Sequence, residues 1–236
     1  ELGSDIGGSI RSPAHFNGVY GLKPSWGVVP SRGHIPGPPG SLVEPDVNCN
    51  GPLARSLEDL EVMLDILAGP LPEDARGWRL DLAAGPPIDD LRSLRVATVF
   101  DQGAELLPVA GEVRTNLEAY ATRLSDAGVR VDAVPLPVAL ADGLRSWQEL
   151  VLPIIGTGLP DEVYAPFAEL ESVLGDDPLL VSARALSSRY RSWAGANALR
   201  QYQRRAWAEL FEGRDVVLAP VMPTAAFPHD TERDIT

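Results

Sequence analysis

Two adjacent glycines run directly into a serine near the start of the chain, in the segment GSDIGGSIR (residues 3–11). Glycine adopts unusual backbone angles and lets another molecule approach the main chain closely. Consecutive amide N–H groups in such a turn can converge on one anionic point. A hydroxyl on the same turn then lies beside a developing oxyanion. The segment therefore indicates acyl transfer, with Ser9 as nucleophile and backbone donors within about 3 Å of one carbonyl.

Other interpretations of this segment remain open or fail on spacing. A Gly-Gly-Ser tripeptide most often forms a plain turn, and the flanking Asp5 and Arg11 could form an ordinary surface ion pair. A phosphate cradle would need G-x-G-x-x-G or G-x-x-x-x-G-K-[ST]; neither occurs, and no evident strand precedes the glycines. The G-x-S-x-G nucleophile elbow is also absent. Only the acyl-transfer interpretation uses the serine and the glycines together.

Composition and charge exclude several classes of function. The 236 residues are 44% hydrophobic, which is enough for a substantial core, yet no run reaches the 18 apolar residues of a membrane-spanning helix. The formal net charge of -13, with no basic tract, disfavours binding to nucleic acid and to anionic membranes. We therefore expect a soluble, cytoplasmic protein whose partners include neither nucleic acid nor membrane.

Metal chemistry has no basis in the sequence. The three histidines, His15, His34 and His229, stand far apart and share no ligand spacing. Cys49 is the one cysteine, so it can form neither an internal disulfide nor a thiol-rich metal site. We expect no metal and no cofactor, and we interpret Cys49 as an ordinary core or loop residue.

The first fifty residues are rich in Gly, Pro and Ser, which is typical of a winding, ordered loop around short elements. Within it, Ser12-Pro13 predicts a helix start that ends at Gly18, and VYGLKP predicts a brief strand. The clearest helix follows, capped by Ser56 and stopped at Gly69-Pro70. Its apolar stripe comprises Leu57, Leu60, Met63, Leu64 and Leu67.

The rest of the chain predicts an α/β fold, a mixed sheet covered by helices. LRVATVF (94–100), an amphipathic helix over 111–128 and VRVDAVPLP (129–137) form a strand–helix–strand unit whose strands should be parallel. Residues 138–212 are mainly helical, and DVVLAPVMP (215–223) is a further strand. We divide this one domain, 1–236, into a nucleophile loop and core (1–70), a connector (71–93) and an α/β and helical remainder (94–236).

The longer stretch GSDIGGSIRSPAHFNGVYGLKPSWGVVPSRG (3–33) resembles the core of the amidase signature family. The resemblance continues through NGPLARSLEDLEVMLDILAGP (50–70) and returns more faintly at DVVLAPVMPTAAFP (215–228). It implies the amidase signature fold, incomplete at both ends, and hydrolysis of small-molecule amides. It also implies roles for single residues: Ser9 is the acylated nucleophile, the backbone amides of Ile6, Gly7 and Gly8 form the oxyanion hole, and Asp5 and Arg11 support the loop.

The resemblance also implies a base that this sequence lacks. The family uses a lysine relayed through a second serine in a cis peptide, both upstream of the GSDIGGS segment. The one lysine here, Lys23, matches a non-triad position. We therefore expect an internal piece of a longer amidase, inactive by itself.

Alternatives to the amidase remain open. They are the amidase subunit of a tRNA-dependent amidotransferase and a non-catalytic binding protein with the same fold, and a homodimer is also open. Candidates to line an acyl pocket, each more often a packing residue, are Trp147, Tyr164, Phe167, Trp193 and Tyr202.

Overall fold

The computed structural model describes residues 1–34, 42–82, 88–100, 103, 105–170, 173, 175 and 177–229. The strands described are β1 (Leu2–Asp5), β2 (Tyr20–Gly21), β3 (Cys49–Ala54), β4 (Arg95–Thr98), β5 (Arg130–Ala133) and β6 (Val216–Leu218). The helices are α1 (Arg11–Asn17), α2 (Leu57–Leu67), α3 (Gly111–Asp126), α4 (Leu140–Gly156), α5 (Asp161–Glu169), α6 (Pro178–Leu186) and α7 (Tyr190–Glu212).

An antiparallel sheet in the order β1-β3-β2 carries the glycine segment. Its register pairs Leu2 with Pro52 and Asp5 with Cys49, so β1 ends where the segment begins. The expectation that no strand precedes the glycines is therefore wrong. At Gly51 a side chain would overlap the Leu22 carbonyl, so glycine is what lets the chain following β2 lie against β3.

The second sheet is parallel, in the order β5-β4-β6. Val96 pairs with Val131 on one side and with Val216 on the other. This confirms the predicted parallel pair and the α/β class. The described strands are divided between two three-stranded sheets, one antiparallel and one parallel. The central strand β4 is almost fully buried, since it is covered on both edges.

Helix α2 begins where its capping residue predicts. The Ser56 hydroxyl accepts a hydrogen bond from the Asp59 N–H at 3.2 Å. The helix contacts β3 and β2. Of its predicted stripe Leu60 is buried, whereas Leu57 is 60% exposed. The periodicity thus gave the helix correctly but overstated the width of its buried face.

The predicted helical region is confirmed by α4 to α7. Helix α4 packs against both α6 and α7, and its residues Ser146, Leu150 and Val151 are buried. This packing fixes the position of α4. A side chain of α4 can therefore reach the segment that follows β1. Within the described residues, no helix combines the length and the apolar character needed to cross a bilayer.

Candidate functional site

The last residue of β1, Asp5, organises the segment that follows it. Its side chain is completely buried, and its carboxylate accepts backbone N–H groups from three residues of the turn. The donors are Gly8 at 2.8 Å, Ile10 at 3.2 Å and Arg11 at 3.3 Å. A carboxylate that accepts several backbone N–H groups fixes the path of the chain around it. Residues 5–11, called the nucleophile loop below, therefore fold around one buried anion.

The guanidinium of Arg11 completes the bonding of this carboxylate. Its Nε and Nη2 each donate to Asp5 at 2.9 Å, which is a bidentate pair. Burial by itself would raise the pKa of Asp5, but hydrogen bonds from Arg11 and Gly8 and the charge of Arg11 lower it to about 2. The same hydrogen bonding raises the pKa of Arg11. Because Asp5 is buried, this is not an ordinary surface ion pair.

Helix α1 begins at Arg11, two residues before the predicted start with Ser12 as cap and Pro13 as first helical residue. Its N-cap is Ile10, which offers no side-chain cap. The Asp5 carboxylate accepts the N–H groups of Ile10 and Arg11 instead, so a distant residue does what a local serine was expected to do. The helix ends at Gly18, as predicted, in the left-handed conformation with φ 63°.

The two glycines have different backbone conformations. Gly8 has φ 120°, and a Cβ there would lie 2.8 Å from the Ser12 hydroxyl oxygen. Its N–H is already donated to Asp5. The N–H groups of Ile6 and Gly7 donate no hydrogen bond within the described part of the chain. Of the three amides expected to face an oxyanion, two are therefore unoccupied and one is committed to Asp5.

Ser9 is exposed and lines a cleft of about 820 Å³. Polar groups around it come from Glu1, Asn17, Arg55 and Asp59. Its apolar wall includes Val62 and Met63 of α2 and Leu53 of β3. The structure thus presents a hydroxyl, held on a rigid turn, to a space large enough for a small molecule.

Trp147 of α4 reaches the nucleophile loop from a distant part of the sequence. Its indole N–H donates to the Ile6 carbonyl at 2.8 Å. A Cβ at Gly7 would lie 3.1 Å from the ring atom Cζ2. Sequence reasoning named Trp147 only as a candidate for an acyl pocket, because no sequence pattern shows which aromatic side chain will meet a loop 141 residues away.

None of the aromatic candidates, Trp147 included, lines the cleft at Ser9. Trp193 lines a separate cleft of about 780 Å³, together with Trp147 and Lys23. Tyr202 is 74% exposed, and the described lining of neither cleft includes Tyr164 or Phe167.

Lys23 and the histidines do not line the cleft at Ser9 either. The Lys23 ammonium donates to the Pro24 carbonyl at 3.0 Å and lies 3.6 Å from the Cys49 sulfur. His15 bonds the Thr224 carbonyl through Nε2 at 2.9 Å. Across the described ranges, no group of three or more His, Cys, Asp or Glu residues could hold a metal ion. The described groups around Ser9 thus include no lysine and no histidine to act as its base.

Three comparisons place these features in a known family. The family model described as Amidase matches residues 1–154. The A subunit of glutamyl-tRNA(Gln) amidotransferase from Thermus thermophilus is 32% identical over 99% of this chain and 51% of its own length. Fatty-acid amide hydrolase 2-B from Danio rerio is 36% identical over 69% of this chain and 30% of its own length. The chain spans about half the length, or less, of the curated relatives it matches.

A solved structure supports the same fold. A bacterial aryl acylamidase, described as a member of the amidase signature enzymes, superposes with a TM-score of 0.70 at 20% identity. The superposition covers 98% of this chain and 47% of the acylamidase. The match of the family model includes both the nucleophile loop and Trp147. On these matches, the chain belongs to the amidase signature family.

Proposed function

We propose that the full-length protein containing this chain hydrolyses the C–N bond of small-molecule amides, with Ser9 as the nucleophile. The observation that carries the proposal is the nucleophile loop itself. It presents an exposed Ser9 hydroxyl to a cleft, on a turn that is tied to the buried Asp5 and that also contains the unoccupied N–H groups of Ile6 and Gly7. Such preorganised donors stabilise the charge that develops on a carbonyl oxygen under attack.

In the proposed reaction the Ser9 oxygen attacks the carbonyl carbon of the amide. The hydroxyl proton passes to a base, and the carbonyl oxygen becomes an oxyanion held by the N–H groups of Ile6 and Gly7. When the C–N bond breaks, the nitrogen takes a proton and leaves as ammonia or an amine. Water then hydrolyses the ester on Ser9, which releases the acid and restores the hydroxyl.

Gly8 has a different part in this proposal from Ile6 and Gly7. Its N–H holds Asp5, so it can face an oxyanion only if it shares or exchanges that bond. Asp5 and Arg11 act as supports, because the Asp5 carboxylate binds the Arg11 guanidinium and the backbone N–H groups of the loop. We assign the base to a part of the full-length protein outside these 236 residues, since Lys23 lines the other cleft.

The test compares Ser9→Ala with Ser12→Ala in the full-length protein, on a broad amide panel and with a serine-directed fluorophosphonate probe. Ser12 is the matched control because it is a second hydroxyl three residues away. We expect Ser9→Ala to lose amide hydrolysis and labelling, and Ser12→Ala to keep both. Undiminished hydrolysis in Ser9→Ala would overturn the assignment of the nucleophile.

A second candidate is the amidase subunit of an amidotransferase. It is favoured by relatives of that name that align with 96–99% of the chain. Such a subunit would need partner proteins for its physiological reaction. Vigorous hydrolysis of simple amides by the purified protein alone would favour the free-standing amidase, whereas activity that appears only after partner subunits are added would favour the amidotransferase.

A further inference from the structure

We infer that Trp147 is a positioning residue that aims the Gly7 N–H at the oxyanion. The inference rests on the proposed function, since it concerns one of the two unoccupied amides of the nucleophile loop. Helix α4, in the second half of the chain, would thus take part in the reaction at the nucleophile loop. The indole N–H makes the hydrogen bond that orients the peptide, and the ring holds this N–H in place.

The argument begins with the geometry of one peptide unit. The Ile6 carbonyl and the Gly7 N–H belong to the same planar trans peptide, so they point in opposite directions. The indole N–H of Trp147 donates to that carbonyl at 2.8 Å. A bond that fixes the carbonyl direction therefore fixes the N–H direction too. Trp147 thus determines where the Gly7 N–H points without touching it.

The ring of Trp147 also lies close to Gly7. A Cβ on Gly7 would lie 3.1 Å from Cζ2 of Trp147 and 3.9 Å from its Cε2 and Cη2. Gly7, unlike Gly8, is not in the left-handed region, so its backbone does not need a glycine. The absence of a side chain at Gly7 is instead explained by the indole that lies against it.

The helix that carries the indole is held by packing against α7. Its neighbour Ser146 is buried and accepts a hydrogen bond from the Gln203 side chain at 2.8 Å. Leu150 and Val151, one turn further along α4, are also buried. A donor on a fixed helix can hold a peptide at a set angle, whereas a donor on a mobile side chain cannot. Asp5 holds the same loop from the other side through Gly8 and Ile10.

The test uses Trp147→Phe, which keeps an aromatic ring and removes the N–H. Losing one oxyanion donor outright lowers kcat by about 10²–10³, so a misdirected donor should cost about tenfold or more. We expect that loss in kcat for the amide that the full-length protein hydrolyses best, with KM within about twofold. Fluorophosphonate labelling of Ser9 should slow by a similar factor, because its oxyanion uses the same donors.

The affinity for a boronate inhibitor, which becomes tetrahedral on Ser9, distinguishes a positioning role from a merely structural one. Trp147→Phe should lower the affinity for the boronate by about the same factor as kcat. It should leave the affinity for the product acid unchanged. Trp26→Phe is the activity control, because it removes an indole bond to the Pro45 carbonyl away from the loop. Trp193→Phe removes an indole hydrogen bond to the Leu150 carbonyl. It is compared with Trp147→Phe in thermal stability only, to show what the loss of one such bond costs.

The outcomes separate this inference from the proposed function. Wild-type kcat and boronate affinity in Trp147→Phe would overturn the positioning role and leave Ser9 as the nucleophile. Equal weakening of boronate and product acid would also overturn it, since that pattern marks a collapsed cleft. A wild-type protein that hydrolyses no amide and takes no fluorophosphonate would overturn the proposed function, and the inference with it.

Discussion

The two sheets each contain an aspartate held by an arginine, and the two pairs look alike locally. Arg11 donates to Asp5 through Nε and Nη2, and Arg95 donates to Asp215 through the same two nitrogens. Both aspartates also accept backbone N–H groups, and both have a pKa lowered to about 2. They differ in burial: the Asp5 side chain is fully buried, whereas that of Asp215 is 35% exposed.

The difference in burial gives the two pairs different roles. Water can replace Arg95 around Asp215, so that pair only fastens the start of β6 to β4. No water can replace the partners of Asp5, which order the backbone of the nucleophile loop. A buried charge that loses its partner is costly, while an exposed one is resolvated. Two aspartates with a similar pKa therefore have different roles: Asp5 orders the nucleophile loop, whereas Asp215 only joins two strands at the surface.

The largest effect that would sharpen this contrast is expected from Asp5→Asn in the full-length protein. It leaves Arg11 without its carboxylate and weakens the acceptor of three loop amides. The free energy of unfolding should fall by about 2–3 kcal/mol, less than for a fully buried pair because Arg11 is half exposed. Amide hydrolysis should fall at least about a hundredfold, since the loop carries Ser9. Denaturant unfolding and kcat/KM measure both.

Asp215→Asn is the matched control for Asp5→Asn, because it makes the same chemical change in the other pair. It should leave kcat/KM for the amide unchanged, since Asp215 does not line the cleft at Ser9. Equal losses of activity in the two variants would remove the contrast between the two pairs.

The pH dependence of stability should come next in size. Asp5 has a folded pKa of about 2 against an ordinary value of 3.8, so the folded state holds its charged form more strongly. Its contribution, about 2 kcal/mol, is fully present above about pH 5 and is lost as the pH falls from about 5 through 2. Denaturant midpoints measured between pH 2 and 6 should show this slope in the wild type and less of it in Asp5→Asn. The same slope in both proteins would contradict the assignment to Asp5.

A smaller loss is expected from Gly8→Ala. At φ 120° an alanine is strained, and its Cβ would lie 2.8 Å from the Ser12 hydroxyl oxygen. We expect the free energy of unfolding to fall by about 1–2 kcal/mol, which denaturant unfolding measures. Gly18→Ala is the control, because Gly18 also has a positive φ but has nothing within 4 Å of its would-be Cβ. A smaller loss in Gly8→Ala than in Gly18→Ala would show that the contact with Ser12 carries no cost.

Residue types predicted much of this structure where the determinants are local. The Ser56 cap, the Gly18 stop and the parallel pair of β4 and β5 follow from short patterns, because each depends on neighbouring residues or on a short crossover. The segment GSDIGGSIR also indicated where to look for chemistry, since it combines a hydroxyl with glycines that let a substrate approach the backbone.

What the sequence did not reveal depends on contacts between distant residues. Strand β3 contains Asn, Gly and Pro, which favour turns, and it forms only because β1 and β2 pair with it. Helix α1 begins at Arg11 because Asp5 supplies its acceptor. The contact of Trp147 with Ile6 spans 141 residues. Local propensity contains no information about such partners, so only the folded chain identifies them.

The smallest effect, on stability, is expected from breaking the exposed pair, and it tests whether burial rather than geometry separates the two sites. In Asp215→Asn the Arg95 guanidinium stays in water, so the denaturant midpoint should move far less than in Asp5→Asn. Salt near 1 M should remove most of that difference from the wild type, because exposed charges are screened. The loss caused by Asp5→Asn should persist in the same salt. If both losses vanish in salt, Asp5 behaves as an exposed charge, and its assignment as the buried support of the nucleophile loop fails.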